Sequence, residues 1–275
     1  MPYVTASDGT ELYVKDWGAG RPVILIHGWP LTADSWDDVA VALAEAGYRA
    51  IAYDRRGFGR SDQPWSGYDY DTFADDLAQV IDGCDIGAQG VALVGFSMGG
   101  GEVARYLARH GVDKVAKVAL IGAVTPYMLQ ADDNPHGVPQ STFDQMTRGM
   151  RDDRAHFFQG FFKSFYGMGV ISHPVSDGVL DNAWRQAMMA GLRPTLAAAE
   201  AFATTDFRPD MAAFTMPTLI VHGTSDATVP IDATAREAAK AIPHAKLIEY
   251  PGAPHGLTET NKGEFIRDLV EFLNA

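Results

Sequence analysis

The chain has 275 residues, of which 47% are hydrophobic and 21% charged, a composition typical of a globular protein with a large core. Its 22 Lys and Arg against 35 Asp and Glu give a net charge of −13, which repels nucleic acid and anionic lipid, so we expect neither nucleic acid nor a membrane as partner. The single cysteine, Cys84, excludes an intrachain disulfide and a cysteine-rich zinc site. We expect a cytoplasmic protein, because the first eight residues contain an acid and no apolar run typical of a signal peptide.

The first half of the chain alternates short apolar runs with helical patterns. Predicted strands cover 22–26, 48–53, 91–95 and 117–121, and predicted helices cover 35–46, 70–81 and 99–110. The apolar runs are continuous, as in strands that are buried on both faces of a sheet. This order predicts an α/β fold, a mostly parallel, doubly wound sheet with helices on both faces.

The alternation stops between residues 125 and 206. This segment contains five prolines, six of the ten methionines, a helical pattern at 181–192 and six aromatic residues at helical spacing between 157 and 166. We interpret it as a helical cap inserted into an α/β core of 1–124 and 207–275. Its apolar side chains would pack onto the core, and some would line an apolar pocket. The alternation then returns, with predicted strands at 217–222 and 245–250 and predicted helices at 231–241 and 259–273.

The most informative motif is the pentapeptide 95–99, Gly-Phe-Ser-Met-Gly, which lies directly between a predicted strand and a predicted helix. A Gly-x-Ser-x-Gly sequence in this context forms a sharp turn that exposes the serine hydroxyl. The turn also places the serine at a helix N-terminus, where amide groups stabilise developing negative charge. The motif predicts Ser97 as a nucleophile, and the alternative is a tight turn without chemistry.

A serine hydroxyl needs a base, and the base needs an acid that orients it. In a sheet of this type the three follow in the order Ser, acid, His, on loops at the carboxyl ends of strands. His255 follows the last predicted strand and is the predicted base, and Asp226 follows the strand before it and is the predicted acid. Asp232 is the alternative acid, but we place it at the start of a helix. His222 precedes the acid and is interpreted as structural.

Two backbone N–H groups are expected to bind the negative oxygen that forms in such a reaction. One belongs to Met98, directly after the nucleophile, and the other to Trp29, in the loop that follows the first predicted strand. Gly28 lets this loop approach the substrate closely. We interpret His27 as a support for the loop rather than as a base.

Six segments carry a resemblance to a known family. They are 27–30, 54–62, 68–76, 95–101, 205–210 and 253–256, and they span nearly the whole chain. Together they resemble the α/β-hydrolase superfamily and, within it, the cofactor-free haloperoxidases, which are also called bacterial perhydrolases or aryl esterases. The segment 54–62 resembles a family signature, and we interpret it as structural.

The resemblance implies an α/β-hydrolase fold with a helical cap and a catalytic triad of Ser97, Asp226 and His255. It also implies an oxyanion hole formed by Trp29 and Met98, and neither a cofactor nor a metal. The substrate-binding residues that match the family are Trp29, Pro30, Phe96, Met128, Phe161, Phe165 and Phe202. Family members often form oligomers, so a homo-oligomer is a further expectation, for which the sequence identifies no interface.

The activity that the resemblance implies is that of a serine carboxylesterase or aryl esterase, which cleaves small esters through an acyl-Ser97 intermediate. When hydrogen peroxide replaces water, the same site would convert a carboxylic acid into a peracid, which oxidises halides in solution. One alternative keeps the triad but cleaves γ-lactams or other amides. A second alternative is a non-catalytic small-molecule binding protein on the same fold.

Pro30 bears on the choice between water and peroxide. A proline restricts the conformation of the residue before it, so Pro30 constrains the direction of the Trp29 carbonyl group. We hypothesise that this carbonyl accepts a hydrogen bond from bound peroxide and favours perhydrolysis. The alternative is that Pro30 only makes the loop rigid.

Overall fold

A computed structural model describes residues 2–87 and 89–275, and within them eight strands form one sheet in the order β1-β2-β4-β3-β5-β6-β7-β8. The strands are β1 Tyr3–Thr5, β2 Glu11–Gly18, β3 Arg21–Ile26, β4 Tyr48–Tyr53, β5 Val91–Phe96, β6 Val115–Ile121, β7 Thr218–Gly223 and β8 Lys246–Tyr250. Strand β2 pairs antiparallel with β1 and β4, and all other pairs are parallel. The predicted α/β fold with a mostly parallel sheet is confirmed.

The helices are α1 Asp37–Glu45, α2 Tyr70–Gly83, α3 Met98–His110, α4 Gln140–Phe165, α5 Asp177–Met189, α6 Leu192–Thr204, α7 Ala235–Ala241, α8 Leu257–Thr260 and α9 Lys262–Asn274. The connection β3-α1-β4 runs along the sheet in one direction, and β4-α2-β5 returns in the other. Because such connections are right-handed, α1 and α2 lie on opposite faces. Helix α9 packs against α1, and α3 packs against α2.

The predicted strands coincide with β3 to β8 to within two residues, but the sequence analysis missed β1 and β2. These two antiparallel strands are half-exposed, so they lack the continuous apolar run that marks the parallel strands. Three predicted helices are corrected here. The 35–46 pattern divides into a 3₁₀ turn at Ala33–Trp36 and α1, the 231–241 pattern becomes helical only at Ala235, and the 259–273 pattern divides into α8 and α9.

Asp232 therefore precedes α7 rather than beginning it. Its carboxylate is exposed and forms an ion pair with Arg236, with 2.6 Å between Oδ1 and Nη1. The Asp232 carboxylate is therefore a surface charge and not a buried group.

Segment 54–62 follows β4 and carries two buried arginines. Arg55 Nε donates a hydrogen bond to Glu102 Oε2 at 2.6 Å, and both side chains are fully buried. Arg56 Nε donates to Asp76 Oδ2, also at 2.6 Å. Glu102 lies on α3 and Asp76 on α2, so the two arginines tie the end of β4 to both helices of one face. These contacts agree with the structural interpretation of this segment.

The segment 125–206 contains α4, α5 and α6, with α4 packed against both of the others. The 181–192 pattern corresponds to α5, which begins earlier because the Ser176 side chain accepts a hydrogen bond from Val179 N–H at its start. The division of the chain into a core and a cap stays a prediction. In the ranges 2–87 and 89–275, no helix is both long and apolar enough to cross a membrane.

The buried Arg55–Glu102 pair makes a prediction about stability. Glu102→Leu leaves the buried Arg55 charge without its carboxylate partner, so we expect a loss of about 3–5 kcal/mol in the free energy of unfolding. Asp82→Asn, which breaks the exposed ion pair with Lys114, should cost no more than about 1 kcal/mol. Urea denaturation measures both. The double variant Arg55→Met/Glu102→Leu should recover part of the loss, and equal small losses in all three variants would contradict the prediction.

Candidate active site

Ser97 lies between the last residue of β5 and the first residue of α3, with φ 55° and ψ −118°. L-residues rarely adopt a positive φ, and such a conformation costs about 1–3 kcal/mol. The two glycines of the motif make the turn possible. A Cβ atom on Gly95 would lie 2.6 Å from the Gly99 carbonyl oxygen, and one on Gly99 would lie 2.5 Å from the Ile26 carbonyl oxygen.

Three backbone hydrogen bonds hold this turn. The Ser97 N–H donates to the Ile121 carbonyl at 2.8 Å, and the Ser97 carbonyl accepts from the N–H groups of Gly100 at 3.0 Å and Val124 at 3.2 Å. Two of the partners lie at and beyond the end of β6, the neighbouring strand. The strained serine is therefore held by the sheet as well as by its own helix.

The structure brings the three predicted triad residues into one hydrogen-bonded chain. His255 Nε2 lies 2.9 Å from Ser97 Oγ, and His255 Nδ1 lies 2.5 Å from Asp226 Oδ2. All three side chains are buried. Because a carboxylate only accepts hydrogen bonds, the proton lies on Nδ1, and Nε2 is left free to accept the serine proton.

The Asp226 carboxylate is held in its ionised form. Its Oδ1 accepts hydrogen bonds from the N–H groups of Thr228 at 2.9 Å and Val229 at 2.7 Å. Burial raises the pKa of Asp226, but its interactions with His255 and His222 outweigh burial and hold that pKa well below its usual range. A carboxylate of this kind can compensate a positive charge that forms on His255.

His222 contacts the acid of the triad, a contact that the sequence analysis missed. Its Nε2 lies 2.9 Å from the Val229 carbonyl oxygen and 3.3 Å from Asp226 Oδ2. Both neighbours are acceptors, so Nε2 carries the proton and donates to them. The spacing of four residues between His222 and Asp226, at the end of a strand, is the signal that could have found it. We propose that His222 is a positioning residue for Asp226.

Aromatic rings enclose the His255 imidazole on two sides. The Phe96 ring stacks on it with 5.0 Å between centroids, and the Phe165 ring meets it edge-on at 4.8 Å. Neither ring belongs to the lining of the cavity beside Ser97, so the substrate-binding roles of Phe96 and Phe165 stay predictions. A ring in contact with the imidazole keeps it in place and excludes water from it.

The loop after β3 brings Trp29 beside the nucleophile. A Cβ atom on Gly28 would lie 2.9 Å from the Ser97 Cβ, so only glycine permits this approach. The other expected donor, the Met98 N–H, is the first amide of α3, and the first amides of a helix have no intrahelical acceptor. Both donors therefore lie next to Ser97 in the chain or in space.

His27 orients the Trp29 amide through a chain of hydrogen bonds. Its Nε2 accepts from the Arg55 N–H at 3.0 Å, so the proton lies on Nδ1, which donates to the Gly28 carbonyl at 3.0 Å. The Gly28 carbonyl and the Trp29 N–H belong to one planar peptide unit and point in opposite directions. Burial lowers the pKa of His27 well below its usual value, which keeps the ring neutral. This geometry supports the interpretation of His27 as a support for the loop.

A cavity of about 160 Å³ opens beside Ser97. Four of the predicted binding residues line it, namely Trp29, Met128, Phe161 and Phe202. The lining also contains residues that were not predicted: Val124, Val138, Thr142, Phe143, Met146, Ser164, Ala227, Thr228 and Val229. Pro30, like Phe96 and Phe165, is buried and does not belong to this lining, so its predicted binding role stays a prediction.

The Trp29 side chain joins the loop after β3 to helices α4 and α6. Its ring contacts the rings of Phe158, Phe161 and Phe202, with 5.4–5.5 Å between centroids. Its Nε1 donates to the Thr195 carbonyl at 3.0 Å. The cavity wall is thus mostly apolar and carries no charged side chain among the residues described. In the same residues, no three His, Cys, Asp or Glu side chains are arranged to hold a metal ion.

Comparison with known proteins agrees with this geometry. The family described as alpha/beta hydrolase fold matches residues 21–262. The chain belongs to this family. It is 45% identical to a non-heme chloroperoxidase of Kitasatospora aureofaciens, over 100% of both chains. It is 41% identical to a bifunctional esterase/perhydrolase of Acinetobacter calcoaceticus, again over 100% of both chains.

Among solved structures, a bromoperoxidase from Bacillus anthracis superimposes with a TM-score of 0.94 and 45% identity, covering 99% of this chain and 100% of that one. An esterase from Exiguobacterium antarcticum superimposes equally well, with 32% identity and 99% of both chains covered. The resemblance to the haloperoxidases of the α/β-hydrolase family is therefore confirmed.

The contact between His222 and Asp226 makes a kinetic prediction. Hydrogen bonds to charged groups contribute about 1.5–3 kcal/mol, so His222→Leu should lower kcat for ester hydrolysis roughly 10- to 100-fold with little change in KM. Losing a donor to the carboxylate raises the pKa of Asp226, and a carboxylate without this donor stabilises a protonated His255 more strongly, so the acid limb of the pH–rate profile, in which the base takes up a proton, should move to higher pH.

Two further variants separate this role from a loss of folding. His222→Gln keeps a side-chain N–H donor and should restore most of the activity and the original pH profile. His244→Leu removes a histidine whose Nε2 hydrogen-bonds to the Met216 carbonyl at 3.0 Å, and it should leave both unchanged. An unmoved acid limb in His222→Leu would argue against positioning.

Proposed function

We propose that this protein is a serine hydrolase that cleaves small esters through an acyl-Ser97 intermediate, and that hydrogen peroxide can replace water to give a peracid. The observation that carries the proposal is the chain of hydrogen bonds from Ser97 through His255 to Asp226 at the wall of an apolar cavity. The relatives named as chloroperoxidase and as esterase/perhydrolase support the same pair of activities.

The first half of the reaction forms the acyl-enzyme. Ser97 Oγ attacks the ester carbonyl carbon while His255 Nε2 accepts the hydroxyl proton, and Asp226 compensates the imidazolium. The N–H groups of Trp29 and Met98 donate to the oxyanion. When the tetrahedral intermediate collapses, His255 returns its proton to the departing alcohol, and the acyl group stays on Ser97.

The second half releases the acyl group. Water attacks the acyl carbon and gives a proton to His255. When the tetrahedral intermediate collapses, His255 returns this proton to Ser97 Oγ, and the acyl group leaves as the carboxylic acid. If hydrogen peroxide attacks instead, the product is a peracid. A peracid oxidises bromide or chloride in free solution, so one site accounts for both the esterase and the haloperoxidase names of the relatives.

The cavity supports small, uncharged reactants. Its volume of about 160 Å³ and its apolar wall fit a short acyl chain or an aryl ester better than a charged or extended one. The reactants that we propose are a small ester, or a carboxylic acid with hydrogen peroxide. A γ-lactam is the alternative substrate of the same triad, and a direct comparison of ester and γ-lactam turnover distinguishes the two.

We also propose a cytoplasmic location, which the lone Cys84 supports because disulfides are frequent outside the cytoplasm.

Removing the nucleophile tests the proposal. Ser97→Ala should abolish p-nitrophenyl acetate hydrolysis and peracetic acid formation together, because both pass through the same acyl-enzyme. Ser172→Ala, the same change at an exposed serine, should alter neither rate. If either activity survives in Ser97→Ala, a different site carries it.

Replacing Pro30 tests the peroxide hypothesis. If the Trp29 carbonyl accepts a hydrogen bond from peroxide, Pro30→Leu should lower the ratio of perhydrolysis to hydrolysis roughly 2- to 10-fold, the value of one hydrogen bond. The ratio, measured on one sample with acetate, peroxide and an acetate ester, is independent of the amount of active enzyme. An unchanged ratio would mean that Pro30 only makes the loop rigid.

A further inference from the structure

Two methionine side chains share the cavity with the nucleophile. Within the residues described, Met128 and Met146 line the same cavity as Ser97. Met128 is 1% exposed, and Met146 is half-buried on α4. A thioether is a soft, polarisable group that oxidants convert into a sulfoxide. The cavity therefore places oxidisable sulfur where the proposed function would release an oxidant.

We propose that Met128 and Met146 are oxidation sites that the enzyme modifies during its own perhydrolysis, an inference that rests on the proposed function. The peracid released from acyl-Ser97 transfers its terminal oxygen to a thioether before it leaves the cavity. The O–O bond breaks, a sulfur lone pair forms the S–O bond, and the proton of the terminal hydroxyl passes to an oxygen of the carboxyl group, which leaves as the carboxylic acid. Sulfur loses two electrons and the peracid gains them, so no other reactant is needed.

The dimensions and the burial of the site favour this reaction over oxidation from solution. A peracid formed in a cavity of about 160 Å³ is in contact with the wall, so its effective concentration there far exceeds that in solution. Because Met128 is almost completely buried, peracid from solution reaches its sulfur only by entering the cavity, and it enters at its bulk concentration. Apart from Trp29, the rest of the lining consists of aliphatic, phenyl, hydroxyl and backbone groups, which a peracid oxidises far more slowly than a thioether.

Oxidation of Met128 or Met146 would change the cavity in which the peracid forms. A sulfoxide is polar and chiral, whereas the wall around Met128 and Met146 is mostly apolar. Binding of an uncharged acyl group should weaken as the polar oxygen enters the cavity. Perhydrolysis would then limit the ester activity of each enzyme molecule in proportion to the peracid that it has made.

The test is peptide mapping by mass spectrometry after incubation with acetate and hydrogen peroxide. The wild-type chain with peroxide alone is one control, and Ser97→Ala with peracetic acid added at the concentration measured for the wild type is the other. Two methionines serve as internal references. Met150 is as buried as Met128 but lies outside the cavity lining, and Met189 is 42% exposed.

We expect more sulfoxide at Met128 and Met146 in the wild type supplied with acetate and peroxide than in either control, and an excess there over Met150 on the order of tenfold. Met189 should be oxidised equally by the peracid that the wild type makes and by the peracid added to Ser97→Ala. In the double variant Met128→Leu/Met146→Leu, ester activity, normalised to the variant's own starting rate, should decay more slowly during perhydrolysis.

The outcomes separate the inference from the function on which it rests. If peracid accumulates but Met128 and Met146 are oxidised no more than Met150, or equally in Ser97→Ala, the inference is wrong and the proposed function stands. If no peracid accumulates, the perhydrolase proposal fails and the inference fails with it.

Discussion

The site depends on a backbone conformation at Ser97 that an L-residue rarely adopts. Gly95 and Gly99 permit it because a Cβ atom at either position would collide with a carbonyl oxygen, and the end of β6 holds it by hydrogen bonds. The strain is therefore supported by the sheet, through the buried end of β6. Its consequence is that the Ser97 hydroxyl lies at the start of α3 and within 2.9 Å of His255.

A second group of contacts holds His255 toward that hydroxyl. Asp226 accepts from one ring nitrogen, His222 and two backbone amides hold Asp226, and two phenyl rings enclose the imidazole. Buried polar groups are costly unless each has a partner, so such a network is either nearly complete or destabilising. The oxyanion loop follows the same principle, because His27 joins the buried Arg55 to the peptide unit of Trp29.

Site residues and strands could be predicted from the sequence where neighbouring residues carry the signal. Ser97 lies in a motif between a strand and a helix, and Asp226 and His255 each follow a strand, so their positions could be read from neighbouring residues. The contact of His222 could have been predicted from its spacing of four residues to Asp226, whereas the contacts of Phe96 and Phe165 with His255 join residues far apart in the sequence, so no local pattern predicts them. Strands β1 and β2 were missed because their half-exposed residues give only a weak signal. Met146 and the predicted Phe161 lie on either side of a break in α4 at Asp153, so only the fold shows that both line the same cavity as Ser97.

The most direct measurement is peptide mapping after reaction with a fluorophosphonate probe, which forms a stable bond only with an activated serine hydroxyl. Our account predicts a single label, on the peptide that contains Ser97, and almost none in the His255→Ala variant, because the base that activates the hydroxyl is missing. A label on another serine of the wild-type chain, or an unlabelled Ser97 in folded protein, would contradict the account.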